Sequence, residues 1–273
     1  MNYTISKINI PFKKELLYKE KKILSRSYYK FSRNHQHGFY SPFEDLSSEA
    51  SKLFPFEEIS YKEKFSVQQN TQKVKIAKLI GLESPLTFYS DEDCFKFKIG
   101  LNLPLEREKI SSLIRINPFV KIRLDANFSL STKELCDFAL SIPPDNLEFI
   151  EDVSDKEDKI ISFAQLFPHK IACDETLEFV LENNLQDLFK YFIVKPSQKL
   201  SLSGLFSLKN QLHSSQKIIL SSTYDHPETV ALYKQIIVRE EMLDTHHGLD
   251  TNKYLNLDES HETFETSDFP FFL

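Results

Sequence analysis

The sequence predicts an α/β protein: a β/α barrel with an α+β unit before it and a short tail after it. From about residue 85 onward, short apolar runs alternate with amphipathic stretches, the texture of a parallel sheet wrapped in helices. Lys98, Asp125, Glu151, Asp174 and Lys195 follow one another at intervals of 27, 26, 23 and 21 positions, each about one βα unit. All five stand in or at the C-terminal part of an apolar run, where a barrel or a doubly wound sheet keeps its chemistry. At least six such repeats in series favour closure into a barrel over an open sheet.

The elements follow in order. Residues 1–84 are read as the α+β unit: an alternating start (Tyr3, Ile5, Ile8, Ile10), a basic and aromatic stretch through 24–43, then a helical stretch near Gln68 to Ile80. The first barrel strand is placed at 85–90. Only Asp91, Glu92, Asp93 and Cys94 then separate it from the next run, so the first crossover is expected to be shortened or replaced. The later runs are 95–100, 119–127, 147–152, 170–175, 191–197 and 217–225, with helix-start signals such as STKELCDFAL and SDKEDKIISFAQLF between them. The barrel is taken to extend over 85–250, leaving 251–273 as a tail whose final apolar cluster should pack against the N-terminal unit.

Composition narrows the function. With 273 residues, 41% hydrophobic and 27% charged, the chain can bury a large core. Its 34 basic and 40 acidic residues give a net charge of -6, which disfavours nucleic acid and anionic membranes as partners. Cys94, Cys136 and Cys173 are widely spaced and form no CxxC pair, so they read as core residues of a reducing compartment. No apolar h-region opens the chain and no stretch approaches the roughly 18 apolar residues of a membrane span, so a cytoplasmic location is expected. Five glycines, none in a GxGxxG or GxxxxGK[ST] turn, argue against dinucleotide and P-loop chemistry.

Strand alternation puts Lys96 and Lys98 on one face, and Arg123, Asp125 and Asn127 on one face of the next run. An edge strand with its lysines in water is the competing reading of the first pair. Asp125, Glu151 and Asp174 end three successive runs and would converge at the barrel's C-terminal face. Three oxygen donors without His or Cys suit Mg²⁺. The competing reading, a capped helix start, is strongest for Asp174, just before ETLEFVL. Lys195 ends YFIV ahead of Pro196 and would lie across the barrel from Lys98. A metal between two opposed lysines describes proton abstraction beside a carboxylate.

KFKIG, IRLDAN, FIED, IACDET, IVKPS, LSST and HGLDT, in that order and spacing, resemble the o-succinylbenzoate synthases of the enolase superfamily; GFYSPFEDLSSEA extends the resemblance into the N-terminal part. The resemblance implies an enolase-type modified (β/α) TIM barrel with an N-terminal α+β capping domain. It implies Asp125, Glu151 and Asp174 as Mg²⁺ ligands and Lys98 as the group that removes the α-proton and later protonates the departing hydroxyl. Lys195 would stabilise the enediolate from the opposite face, and Lys96 would favour loss of the Lys98 proton. The implied reaction turns a small carboxylate, 2-succinyl-6-hydroxy-2,4-cyclohexadiene-1-carboxylate, into o-succinylbenzoate for menaquinone synthesis. An N-succinylamino acid racemase or dipeptide epimerase of the same superfamily, and a barrel that has lost catalysis and serves as a binding protein, are the rivals.

Other residues keep two readings. Arg123 adds charge near the substrate or forms a buried structural ion pair. Ser221, Ser222 and Thr223 offer hydroxyls or N–H groups to a substrate carboxylate or cap a helix. His246 and His247, near the eighth strand, line the site or are loop residues, the second being the commoner case. Arg33, His35 and His37, with Tyr28, Tyr29 and Phe31, form a lid or a solvated loop, and no catalytic histidine is assigned. The family's Glu-Glu-Pro reads Glu151-Asp152-Val153 here, so the proline-defined turn is lost. Oligomeric state is left open.

Overall fold

A computed structural model describes residues 4–18, 21–33, 36–40, 49–64, 72–82, 94–259 and 261–263. The N-terminal strands β1 (Thr4–Tyr18), β2 (Lys21–Arg33) and β3 (Gln36–Tyr40) pair antiparallel, and β11 (His261–Thr263) adds to the free side of β1. The segment considered as a lid is therefore regular strand. Its aromatics Tyr28 and Phe31 are buried, while His35 and the side chains of Arg33 and His37 lie outside the described residues. Of the alternating start, Ile8 and Ile10 face one small core with Phe12, Tyr28 and Leu255, while Tyr3 and the side chain of Ile5 lie outside the described residues.

Helix α1 (Glu49–Lys64) follows, carrying Pro55 in its interior, a residue that argues against helix by propensity alone. Tertiary contacts hold it. Phe54 and Ile59 are fully buried. Its Glu57 accepts from the Leu202 N–H at 2.8 Å and the Ser203 hydroxyl at 2.5 Å, and Glu58 meets the Thr229 hydroxyl at 3.2 Å. Both partners stand at the N-termini of barrel helices, where carboxylates are favoured by the unpaired N–H groups and the helix dipole.

The second sheet is parallel and seven-stranded: β4 (Lys78–Ile80), β5 (Cys94–Lys98), β6 (Lys121–Asp125), β7 (Leu147–Glu151), β8 (Ile171–Cys173), β9 (Tyr191–Val194) and β10 (Lys217–Leu220), neighbours in sequence order. Helices α2 (Leu103–Ile116), α3 (Thr132–Leu140), α4 (Glu157–Leu166), α5 (Leu177–Glu182), α6 (Leu202–Gln211) and α7 (Pro227–Arg239) follow β5 to β10 in turn. Outward side chains such as Phe95, Leu124, Ile150, Phe192 and Leu220 pack against these helices in the main core. Inward ones, Phe149, Ala172, Tyr191, Ile193 and Ile219, fill the barrel floor. This is a modified β/α barrel under an antiparallel cap.

One expectation is corrected, and another falls outside the described residues. Residues 72–77 are not helical, and the chain enters β4 directly. The physical reason is alternation: Lys73 and Lys75 are exposed, Val74 and Ile76 partly buried, a period of two that the run of Lys, Ala and Leu disguises. The first strand predicted at 85–90 lies outside the described residues, and β4 pairs in register with β5 instead, Lys78 opposite Phe95. Residues 81–93 then connect the two strands, about the dozen residues that a parallel crossover requires.

The two edges of the curled sheet meet through residues 246–248. His247 forms a parallel bridge with Ile76, and Gly248 with Ser221. His247 accepts the Ala77 N–H through its carbonyl and donates its own N–H to Lys75, both at 2.9 Å. A two-residue eighth strand thus links β10 to β4. Beyond it, 3-10 turns at Asp250–Tyr254 and Leu257–Glu259 lead to β11 on the cap sheet. Residues 264–273, including the final apolar cluster, lie outside the described residues. All three cysteines are unbridged, and no helix among the described residues is long and apolar enough to cross a membrane.

Candidate active site

Register brings the predicted residues together. Lys98 pairs laterally with Asp125 across β5 and β6, Asp125 with Glu151 across β6 and β7, and Glu151 with Ala172, two residues before Asp174. Lys195 directly follows β9, four strands away from β5 around the curl, so the two lysines rise from facing walls. Strand β5 lies between β4 and β6, which removes the edge-strand reading of Lys96 and Lys98. A cavity of about 170 Å³ opens among Lys96, Lys98, Asp125, Glu151, Asp174 and Lys195 at the C-terminal ends of the strands.

The charges are tightly paired. Lys96 Nζ lies 2.9 Å from Asp125 Oδ2 and 2.5 Å from Glu151 Oε2. Lys195 Nζ lies 2.7 Å from Asp174 Oδ1 and 3.1 Å from Glu175 Oε1, and Lys199 holds the other Glu175 oxygen at 2.9 Å. Lys98 is exposed toward the mouth. Burial opposes the charge on Lys96, yet Asp125, Glu151 and Asp174 outweigh it and raise its pKa well above the usual lysine value. Lys195 is raised in the same way, by Asp174 and Glu175 against burial. Burial opposes ionisation of Asp125, but Lys96 and Lys98 overcome it and hold its carboxyl below the usual range. Glu151 goes the other way: burial, with Asp125 and Asp174 beside it, outweighs Lys96 and pushes its carboxyl up to about 8. Burial likewise raises Asp174 despite the Lys195 contact.

These features fit a hard divalent cation. Three buried carboxylates outnumber the two ammonium groups that touch them, and two of the three, Glu151 and Asp174, are pushed toward their neutral forms. Asp174 Oδ1 is buried, and its close polar neighbour is the Lys195 ammonium at 2.7 Å. Oxygen donors of this kind suit Mg²⁺. Among the described residues no three acids already form a closed ligand cage, because the Lys96 ammonium stands between Asp125 and Glu151.

The capping alternatives fall away. Helix α5 starts after Thr176 with no side-chain cap, and α3 is capped at Ser131, whose hydroxyl and Glu134 form a capping box. Neither Asp174 nor Asp125 caps a helix. His226, not a serine, caps α7. Ser221 and Ser222 line the cavity, and Ser222 Oγ is 2.7 Å from Thr251 Oγ1. The Thr223 N–H is donated to Asp225.

Arg123 forms the buried ion pair of its two readings, and it also lines the cavity. It sits one layer below Asp125, 2% exposed, with Nε 2.7 Å from Glu148, a second nitrogen donating to the His246 carbonyl at 2.9 Å, and its guanidinium 4.6 Å from the Phe149 ring. A guanidinium satisfied on three sides supports the floor. His247 is wholly buried: its Nδ1 accepts the Leu220 N–H at 3.0 Å and its Nε2 faces the Met242 carbonyl at 2.8 Å. The loop reading of His247 is therefore replaced by a structural one.

Sequence reasoning overlooked the residues that hold the loops. Glu106 accepts from Gly100, Leu101 and Asn102 N–H groups at 2.9 to 3.0 Å, fixing the turn just after Lys98. Gly100 has φ +109°, and a Cβ there would meet Ser129 Oγ at 2.1 Å. Glu175 and Lys199 were signalled only by their closeness to Asp174 and Lys195. From the cap, Ile23 reaches the cavity, and Tyr28 donates its hydroxyl to the Tyr224 carbonyl at 2.5 Å.

No protein-family model and no curated protein matches the sequence. Solved structures do match in fold. An o-succinylbenzoate synthase from Thermosynechococcus elongatus BP-1, complexed with Mg in the active site, superposes with a TM-score of 0.74 at 15% identity, covering 93% of this chain and 94% of that one. The L-Ala-D/L-Glu epimerase from Bacillus subtilis gives 0.75 at 12% identity over 94% and 91%. A dipeptide epimerase from Enterococcus faecalis V583, complexed with Mg and L-Leu-L-Tyr, gives 0.70 at 12% identity over 93% and 90%. The chain has the enolase-type architecture, a modified barrel with an N-terminal antiparallel cap.

Proposed function

We propose that this chain is an enzyme of the enolase superfamily that removes a proton from the carbon beside a carboxylate of a small substrate. The observation that carries the proposal is the pair Lys98 and Lys195 on facing walls, with Asp125, Glu151 and Asp174 buried between them. The three acids would hold Mg²⁺, which when bound supplies positive charge to the substrate carboxylate as the α-carbon loses its proton. Lys98, open to the cavity, takes that proton as its neutral amine. Lys96 places a positive charge on the same wall of the cavity.

Epimerisation of a dipeptide or racemisation of an N-succinylamino acid is the reading that the similar structures favour, since dipeptide epimerases recur among them. In that reaction Lys195, as an ammonium, returns a proton to the opposite face of the same carbon, and the two lysines exchange roles in the reverse direction. The ordered motif set favours a second reading, dehydration to o-succinylbenzoate. There Lys98 passes its proton to the departing hydroxyl, water leaves, and Lys195 keeps its proton throughout.

Incubation with Mg²⁺ and L-Ala-L-Glu in D₂O, followed by proton NMR, should show α-hydrogen exchange and the second epimer; a parallel ultraviolet assay with the cyclohexadiene substrate reads dehydration. Lys98→Ala should lower the active reaction by at least the roughly 10²- to 10⁴-fold of a lost general base. Lys195→Ala separates the readings, because epimer formation needs both lysines to move protons. Neither exchange nor dehydration, or a Lys98→Ala variant at the wild-type rate, overturns the proposal.

A further inference from the structure

We propose that Asp152 is a positioning residue that ties two of the candidate metal ligands together and sets the position of a third group, Lys195. The inference rests on the reading of the site given above and deepens it. Asp152 follows Glu151 at the end of β7 and is 2% exposed. Its backbone adopts φ +49°, the left-handed region, which costs an ordinary side chain energy and which Asp tolerates better than most. That turn aims its carboxylate at the loop between β8 and α5.

There it gathers four donors. Oδ1 accepts the Asp174 N–H at 3.0 Å, the Thr176 N–H at 3.2 Å and the Thr176 hydroxyl at 2.8 Å, and Oδ2 accepts the Glu175 N–H at 2.9 Å. Three consecutive amides at the barrel mouth thus have one common acceptor. The Asp152 N–H also donates to the Ala172 carbonyl at 3.0 Å, so the same residue joins the β7 and β8 ends through backbone and side chain alike.

The loop it fixes carries the chemistry. Asp174 and Glu175 are the two carboxylates that grip Lys195, and Glu175 also binds Lys199. A carboxylate that holds the amides of Asp174 and Glu175 therefore governs where Asp174 points its oxygens and where the Lys195 ammonium stands. No proline follows Glu151 to stiffen this corner; Val153 is buried there instead, and the hydrogen-bond cluster supplies the rigidity. Removal of outer-shell partners of metal ligands typically weakens metal affinity by 10- to 100-fold.

Two variants of the full chain test this. Asp152→Gly keeps the left-handed backbone comfortable and removes all four bonds. Asp152→Asn can keep the three bonds to Oδ1 but places an NH₂ against the Glu175 N–H, releasing that one alone. Amide hydrogen exchange, with no metal added, should show faster exchange at Asp174, Glu175 and Thr176 in Asp152→Gly and at Glu175 alone in Asp152→Asn. Calorimetric titration with Mg²⁺ should show affinity about 10- to 100-fold weaker in Asp152→Gly and an intermediate loss in Asp152→Asn. Unchanged protection of all three amides, or Mg²⁺ affinity within twofold of wild type in both variants, overturns the inference. Failure of the site reading looks different: the wild type itself then binds no Mg²⁺, and the exchange pattern still decides whether Asp152 holds the loop.

Discussion

Acidification should loosen the barrel at its closing strand, through one buried imidazole. His247 accepts a backbone N–H at Nδ1, so the proton of the neutral ring sits on Nε2, donated to the Met242 carbonyl. A second proton would have to occupy Nδ1, against the Leu220 N–H. Burial is the main cause that lowers its pKa, to about 4 from an ordinary 6.5, with Arg123 and His246 contributing and the Met242 contact opposing. A histidine depressed in the folded state contributes stability that is complete above the unfolded value of 6.5 and is lost as pH falls toward 4, because the unfolded chain binds the proton first. Between pH 7.5 and 4.5 that linkage amounts to about 2 to 3 kcal/mol. His247→Asn isolates it: the amide oxygen can take the Leu220 N–H, and the new side chain does not titrate. The measurement is urea unfolding of both proteins at both pH values. His226, also lowered to about 4, chiefly by burial, titrates equally in the two and cancels from the difference. Wild type should be the more stable at pH 7.5, with its advantage smaller by about 2 to 3 kcal/mol at pH 4.5. A constant gap would mean that His247 is not held neutral, and that the closing strand is looser than its hydrogen bonds indicate.

Two further perturbations test the scaffold beneath the site. Arg123→Met leaves Glu148 without its guanidinium and should destabilise the fold by about 3 to 5 kcal/mol in urea unfolding, whereas Arg123→Met with Glu148→Leu should recover most of the loss; equal stability of the single and double variants would refute the structural role. Gly100→Ala sets a Cβ into Ser129 Oγ at a φ that L-residues avoid, and should cost at least about 1 to 3 kcal/mol. Adding Ser129→Ala removes the closest contact but not the φ strain, so only partial recovery is expected; full recovery would show that the backbone can relax.

Alternation made the site legible because barrel strands separate their faces by chemistry even when both are buried. Lys96, Arg123, Asp125 and Glu151 share the interior, while Phe95, Leu124 and Ile150 meet the helices, as a period of two requires. The same rule failed where strands are too short to display a period. Strand β4 has three residues, and the preceding 72–77 mixes Lys and Ala into the alternation, so helix was read there. The eighth strand amounts to His247 and Gly248, below the length of any repeating pattern. Helix α1 was hidden by Pro55, and its place is set by Glu57 and Glu58 on α6 and α7, contacts that join residues about 145 to 171 positions apart.

Reaction class and substrate are written into this chain in different ways. The groups that would move protons stand at strand ends, where ladder register lines up Lys98, Asp125 and Glu151, so a linear spacing of 21 to 27 residues maps onto one ring of functional groups. The wall that a substrate's remainder would meet is assembled from Ile23 on the cap, Ser221 and Tyr224 after β10, and Thr251 beyond the closing strand. No period relates those positions. Long-range contacts bring them together, among them the Tyr28 hydroxyl on the Tyr224 carbonyl, the Tyr224 N–H on the Thr251 hydroxyl, and Ser222 against Thr251. A change in those few long-range contacts would reshape the pocket wall without touching a strand end.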